Sequence, residues 1–145
     1  MASKTARDIM TDSPAVCTAE TTAQDAARMM EDNDCGSLPI VDSRDSMKLA
    51  GVVTDRDLAL RILGKGQAPS TPVREAMTKN VSTVKAEDDL DAIESVMSGQ
   101  QVRRVPVVDD QGRVIGIVAQ ADLARELKSV GRKDFSKVVE KISQP

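Results

Sequence analysis

Histidine, tryptophan and tyrosine are absent from this chain, and Phe135 is its only aromatic residue. Without histidine, a catalytic triad and the commonest zinc ligand are both missing. Without aromatic faces there is no stacking platform for single-stranded nucleic acid. Cysteine is scarce too: Cys17 and Cys35 lack metal-ligand spacing and make no disulfide framework, so both are expected as buried, reduced thiols. No apolar run approaches the roughly 18 residues of a membrane span. The polar N-terminus lacks the apolar core of a signal peptide, and a cytoplasmic location without membrane attachment is expected. Charge is nearly balanced, 20 basic against 23 acidic residues, which argues against a general polyanion-binding surface.

What the chain does contain is one segment written twice. Arg7-Asp8-Ile9-Met10-Thr11 returns as Arg74-Glu75-Ala76-Met77-Thr78, and Ala19-Glu20 as Ala86-Glu87. Leu38-Pro39-Ile40-Val41-Asp42 returns as Val105-Pro106-Val107-Val108-Asp109 at the same offset. After a short length change, Gly51-Val52-Val53 and Asp57-Leu58-Ala59 recur as Gly116-Ile117-Val118 and Asp122-Leu123-Ala124. A duplicated supersecondary unit of this size cannot bury its apolar face alone, so the copies are expected to pack together.

Within each copy the pattern runs strand, helix, strand, strand, helix. A helical turn over 6–10 leads to an extended piece at 15–18. Ala23, Ala26, Ala27 and Met30 then mark one helix face, matched by Leu90, Ile93 and Met97, with Val96 widening the stripe. Hairpins follow at 38–53 and 105–118. Each ends in a helix, about 55–63 and 120–129, and a terminal helix is expected at 134–142. Strands layered with amphipathic helices predict α/β or α+β layering, and α+β is the fold class expected. The organisation expected is repeat one over 1–64, a linker over 65–72, repeat two over 73–130 and an extension over 131–145.

The chemistry concentrates where each hairpin closes. In Gly51-Val52-Val53-Thr54-Asp55-Arg56-Asp57, Thr54 occupies a helix N-cap and Asp57 lies three residues on. Free N–H groups at a helix start favour an anion such as phosphate, and a carboxylate accepts two hydrogen bonds from a ribose diol. The same Thr-x-x-Asp is also a capping box, and Thr22 with Asp25 repeats it elsewhere. In the second copy Ala119 has lost the hydroxyl while Asp122 remains. Arg103 and Arg104 precede the second strand, where one guanidinium facing a pocket would complete an anion site; otherwise both are solvated surface groups. Arg56, inside the helix start, either touches phosphate or, as the favoured reading, faces solvent. Gly36 and Ser37 stand at the positions of these arginines in copy one, so the halves are chemically unequal.

The two Met-Thr starts, the Leu-Pro-Ile-Val-Asp and Val-Pro-Val-Val-Asp strands and the two Gly-x-x-x-x-x-Asp closures together resemble a pair of CBS domains, a Bateman module, over about 5–130. The resemblance implies two pseudo-symmetric βαββα repeats packed through their sheets, with clefts between them, and further pairing into a homodimer. It implies that Thr54 and Asp57 hold the ribose or phosphate of an adenosine-containing ligand, AMP, ADP, ATP or a dinucleotide. Arg104, and after it Arg103, would reach phosphate, and Asp122 marks the second ribose position, weakened by Ala119. The adenine would lie near Cys17, Thr18, Ser37 and Leu38, held by aliphatic packing and backbone hydrogen bonds. The function implied is a regulatory module that signals nucleotide binding to a partner protein. The alternative is a scaffold that binds no small molecule, with Thr54 and Asp57 acting only as a cap. Catalysis is not expected: no phosphate-binding Gly-rich loop, histidine base or compact acidic metal cluster is present, and nucleic acid is disfavoured.

Overall fold

The computed structural model describes residues 4–100 and 102–129; the helix expected at 134–142 lies outside them. The chain divides into two compact units. The N-unit comprises Ala15–Val81 with Gly112–Val114. The C-unit comprises the described residues among 4–14, 82–111 and 115–129.

In the N-unit, β2 (Cys17–Thr18) is followed by α2 (Ala23–Asp32), β3 (Ser37–Val41) and β4 (Leu49–Thr54), giving a sheet of order β2-β3-β4. β3 is parallel to β2 and antiparallel to β4. Helix α2 starts as its sequence demands: Thr22 Oγ1 accepts the Asp25 N–H at 3.1 Å. Its inner face carries Ala23, Ala26 and Met30, all buried, whereas Ala27 is exposed and the expected stripe is narrower by that residue. These pack on Leu38, Ile40, Val53 and Ile62. Pro39 is the third residue of β3 and lies opposite Val52. Val52 spends both its N–H and its C=O on Thr78, each at 2.9 Å, so Pro39 sits in a non-hydrogen-bonded pair and its missing donor costs the ladder nothing.

The C-unit repeats this plan. After α1 (Ala6–Ile9) and β1 (Thr11–Asp12) it contains β5 (Val84–Lys85), α4 (Leu90–Gln100), β6 (Arg104–Val108), β7 (Val114–Ala119, of which the C-unit holds the residues from Ile115) and α5 (Gln120–Ser129). Its sheet runs β1-β7-β6-β5. Leu90, Ile93 and Met97 of α4 and Leu123 and Leu127 of α5 bury against Val105, Val107 and Val118.

The units cross the boundaries of the sequence repeats, because the opening motif of each copy joins the unit built from the other copy. Ala6 N donates to Asp88 O at 2.8 Å, and Val73 N to Thr21 O at 2.8 Å. Arg7 N donates to Ala86 O at 3.0 Å, and Arg74 N to Ala19 O at 3.1 Å. Side chains follow suit: Arg7 pairs with Glu87 at 3.3 Å, and Arg74 pairs with Glu20. Thr11 pairs with Ile117, and Thr78 with Val52. Val73 and Ala76 thereby complete the N-unit core, and Ala6 that of the C-unit.

The helix expected over 55–63 is not one regular helix. A short α3 (Asp55–Asp57) opens into a π-helical turn over Leu58–Ile62 and closes with a 3₁₀ turn over Leu63–Lys65. Gly66 stops it at φ 72°. The Gly66 N–H bonds Leu63 O and the Gln67 N–H bonds Ile62 O, both at 3.0 Å, in a Schellman motif. Among the described residues, no helix is long and apolar enough to cross a membrane.

Two glycines admit the exchanged segments. A Cβ on Gly51 would lie 2.6 Å from Thr78 O and 3.3 Å from Met77 Sδ. One on Gly116 would overlap the Met10 side chain. Gly51→Ala and Gly116→Ala are each expected to cost roughly 1–3 kcal/mol by urea denaturation, since a close-packed contact must open. Gly99→Ala, in open space on α4, is the control and should be neutral or stabilising by about 0.5–1 kcal/mol.

Candidate functional site

The end of β4 places Thr54 opposite Ser37 at the start of β3. There the chain turns into α3 through a complete capping box. Thr54 Oγ1 accepts the Asp57 N–H, and Asp57 Oδ2 accepts the Thr54 N–H, both at 3.0 Å. The other carboxylate oxygen, Oδ1, faces Arg61 Nε at 3.8 Å. Asp57's side chain is 15% exposed, so its carboxylate is largely covered yet keeps acceptor capacity on Oδ1.

The helix start itself offers no free backbone N–H to an anion, which corrects the expectation of free N–H groups. Asp55 N donates to Gly36 O at 2.9 Å and Arg56 N to Asp55 Oδ1 at 2.7 Å, while Thr54 takes the third. An anion bound here needs side-chain cations instead. Arg56 is exposed, as expected.

The C-unit has the equivalent corner with different chemistry. Gln120 N donates to Arg103 O at 2.7 Å, tying the start of β6 to the end of β7. Ala119 carries no cap hydroxyl, but Asp122 Oδ2 still accepts the Ala119 N–H at 3.1 Å. The box is therefore half intact, and that backbone bond gives Asp122 a structural role without the hydroxyl. Its Oδ1 accepts from Arg125 Nη2 at 2.9 Å. Arg104 is half-buried and Arg103 exposed, and neither has an ion pair among the described residues.

The sequence-derived residues thus fall into sets. Ser37, Thr54 and Asp57 share the N-unit corner; Arg103, Arg104 and Asp122 share the C-unit corner. Cys17 and Thr18 pair with Ile40 and Val41, about 10 Å along β3 from Ser37 at the usual strand rise, so the fold does not bring them to Thr54. The parallel register instead directs Ala15 and Val16 toward the start of β3. The Cys17 and Leu38 side chains are both buried in the N-unit core. Thr18 is half-buried, and its N–H donates to Thr21 Oγ1 at 3.1 Å. Arg61 and Arg125, which face the two aspartates, escaped the motif reading; their i+4 and i+3 spacing from Asp57 and Asp122 was the available signal.

The chain belongs to the CBS domain family, whose sequence profile matches residues 6–64 and 73–129. It is 36% identical over 137 residues to Hypoxic response protein 1 of Mycobacterium tuberculosis, covering 93% of each chain. It is 36% identical over 118 residues to the CBS domain-containing protein YhcV of Bacillus subtilis, covering 81% of each. Among solved structures it resembles Hypoxic Response Protein I with two coordinated zinc ions, with a TM-score of 0.77 and 38% identity over 86% of this chain and 99% of that one. It also resembles the CBS domain pair of MJ0100 in complex with 5′-methylthioadenosine and S-adenosylmethionine, with a TM-score of 0.78 and 30% identity over 89% and 99%. The complex of CBSX2 with AMP gives a TM-score of 0.75 at 28% identity over the same shares. The zinc belongs to the first of these proteins; here histidine is absent, and no three His, Cys, Asp or Glu side chains converge among the described residues.

Two measurements test this local account. Thr54→Ala should cost about 1 kcal/mol in urea, and Ala119→Thr, which completes the second box, should gain several tenths to about 1 kcal/mol. Burial pushes the Cys17 thiol up to about 11 against a slight opposing pull from Arg44. The unfolded thiol ionises near 9.0, so wild-type stability should fall as pH rises from 9 to about 11. The difference from Cys17→Ala should shrink over the same window.

Proposed function

We propose that this chain is a CBS-pair regulatory module that binds an adenosine-containing nucleotide and signals to a partner protein. The observation carrying the reading is the Asp57 carboxylate: Thr54 N–H fixes one oxygen, and the other has Arg61 only at 3.8 Å. A carboxylate so oriented suits the two donors of a ribose diol. Thr54 keeps its hydroxyl hydrogen for a phosphate or ribose oxygen, since Oγ1 acts toward Asp57 as acceptor. At the C-unit corner, Arg104, then Arg103, supplies phosphate contacts, and Asp122 serves a second, weaker ribose position. Ser37 and the Leu38 backbone begin the strand segment against which the base packs, whereas Cys17 and Thr18 pair farther along that strand and stay outside the contact. That CBS-pair relatives are known bound to AMP or to S-adenosylmethionine and methylthioadenosine supports the ligand class. We assign AMP, ADP or ATP as the ligand, a homodimer as the working form and a reducing, cytoplasmic setting consistent with two free thiols. We assign no catalytic step.

A second reading is a scaffold acting through protein contacts alone. It is favoured by the capping box, which is complete without any ligand, and by the exposure of Leu60 and Leu63. Calorimetric titration with AMP, ADP, ATP and S-adenosylmethionine separates the two. The expected outcome is saturable binding of at least one, weakened more than tenfold by Asp57→Ala while the fold persists by circular dichroism. Stability loss in Asp57→Ala, with no wild-type heat for any of the four, selects the scaffold.

A further inference from the structure

The turn over Leu58–Ile62 ends on a donor shared between two helical registers. The Leu63 N–H is shared between Leu58 O, five residues back, and Ala59 O, four back. One donor thus serves the π and the α bond together. Keeping only the α bond removes a one-residue bulge, which turns the chain beyond it by about 100° and advances it about 1.5 Å. Gly64 is packed closely beside this point: a Cβ there would stand 3.1 Å from Ala59 O, tighter than an ordinary contact.

Arg61 sits inside this turn and makes two long contacts. Its Nε faces Asp57 Oδ1 at 3.8 Å, and its Nη1 donates to Ala76 O at 3.4 Å, on the exchanged segment of the same unit. The counterpart helix α5 is α-helical over all ten residues, and Arg125 there grips Asp122 one residue earlier in spacing, at i,i+3. Leu60 and Leu63 are 53% and 77% exposed, the only exposed large apolar side chains among the described residues, and both ride on the switchable turn.

Resting on the reading of Asp57 as a ribose acceptor, we propose that ligand occupancy and the register of residues 58–63 are coupled through Arg61. A diol donating to Asp57 Oδ1 takes the oxygen that Arg61 faces. Arg61 then leaves, the wide turn closes to the α register, and Leu60 and Leu63 change the face they present. The ligand biases the equilibrium by its differential affinity for the two registers, and the shared Leu63 N–H is the two-state element it acts on.

Amide-resolved hydrogen exchange over 58–66 of the full chain tests this, with AMP as the probe and calorimetry in parallel. In ligand-free Arg61→Gln the Leu63 amide is expected to exchange about tenfold more slowly than in wild type, as its α bond becomes exclusive. Saturating AMP should produce the same slowing in wild type and add nothing in Arg61→Gln, which still binds AMP. Arg125→Gln, on the regular helix, should leave 58–66 unchanged. Unaltered exchange in ligand-free Arg61→Gln overturns the latch. AMP binding without change in 58–66 overturns the coupling while the site stands. Absence of AMP binding overturns the site reading and the coupling with it.

Discussion

The contact on which the rest depends is the passage of each Met-Thr segment across a glycine of the other copy's second hairpin strand. At Gly51 the backbone of Thr78 comes closer than any Cβ would allow, and at Gly116 the Met10 side chain fills the space of a missing one. These approaches let Thr78 and Thr11 pair with β4 and β7, which gives the C-unit sheet its outer strand β1 and the N-unit sheet an isolated bridge at its edge. The Arg–Glu pairs outside add little, being exposed. Backbone bonds and the burial of Ala6, Val73 and Ala76 carry the exchange. Neither sequence repeat is therefore a complete folding unit, which is the physical content of the duplication.

Once the strands are set, the corners follow. A chain leaving the second strand must turn into a helix, and an aspartate three residues on accepts the N–H at the turn. The protein uses that device repeatedly: Asp8 grips Thr5 N, Asp57 Thr54 N, Asp88 Lys85 N and Asp122 Ala119 N, at 2.8–3.1 Å. An aspartate at such a position is first a structural residue, and a ligand-binding role has to rest on what its other oxygen meets.

Much of the fold was legible because the repeat supplied two readings of each element. The α2 and α4 faces, both hairpins and α5 emerged near their observed bounds. What escaped was non-local. Nothing in Met10-Thr11 or Met77-Thr78 announces which copy it will join, since pairing across copies depends on chain path rather than on local pattern. The break after Asp57 escaped for another reason: Leu58, Ala59, Leu60, Arg61 and Ile62 all suit an α-helix locally. At the site, Thr54 and Asp57 were legible from one local motif, and the hairpin register seen in the structure adds Ser37. Cys17 and Thr18 were placed by analogy, and register moves them along the strand. Asp122 has a structural reason to persist without a hydroxyl partner, since half of the cap survives through Ala119 N–H.

The two helix starts carry one further implication. The complete cap, Thr54 with Asp57, begins the helix that abandons α geometry after three residues, while the half cap at Ala119 begins ten regular residues. If capping served only to stabilise a long helix, the stronger cap would belong on the helix with more α bonds to propagate. Here it stabilises a single turn. Its structural effect is to fix the Asp57 carboxylate, with one oxygen bound to Thr54 N–H and the other turned toward a loosely held arginine. That mismatch between cap strength and helix regularity is the physical ground for assigning the N-unit corner, rather than its regular counterpart, as the principal site.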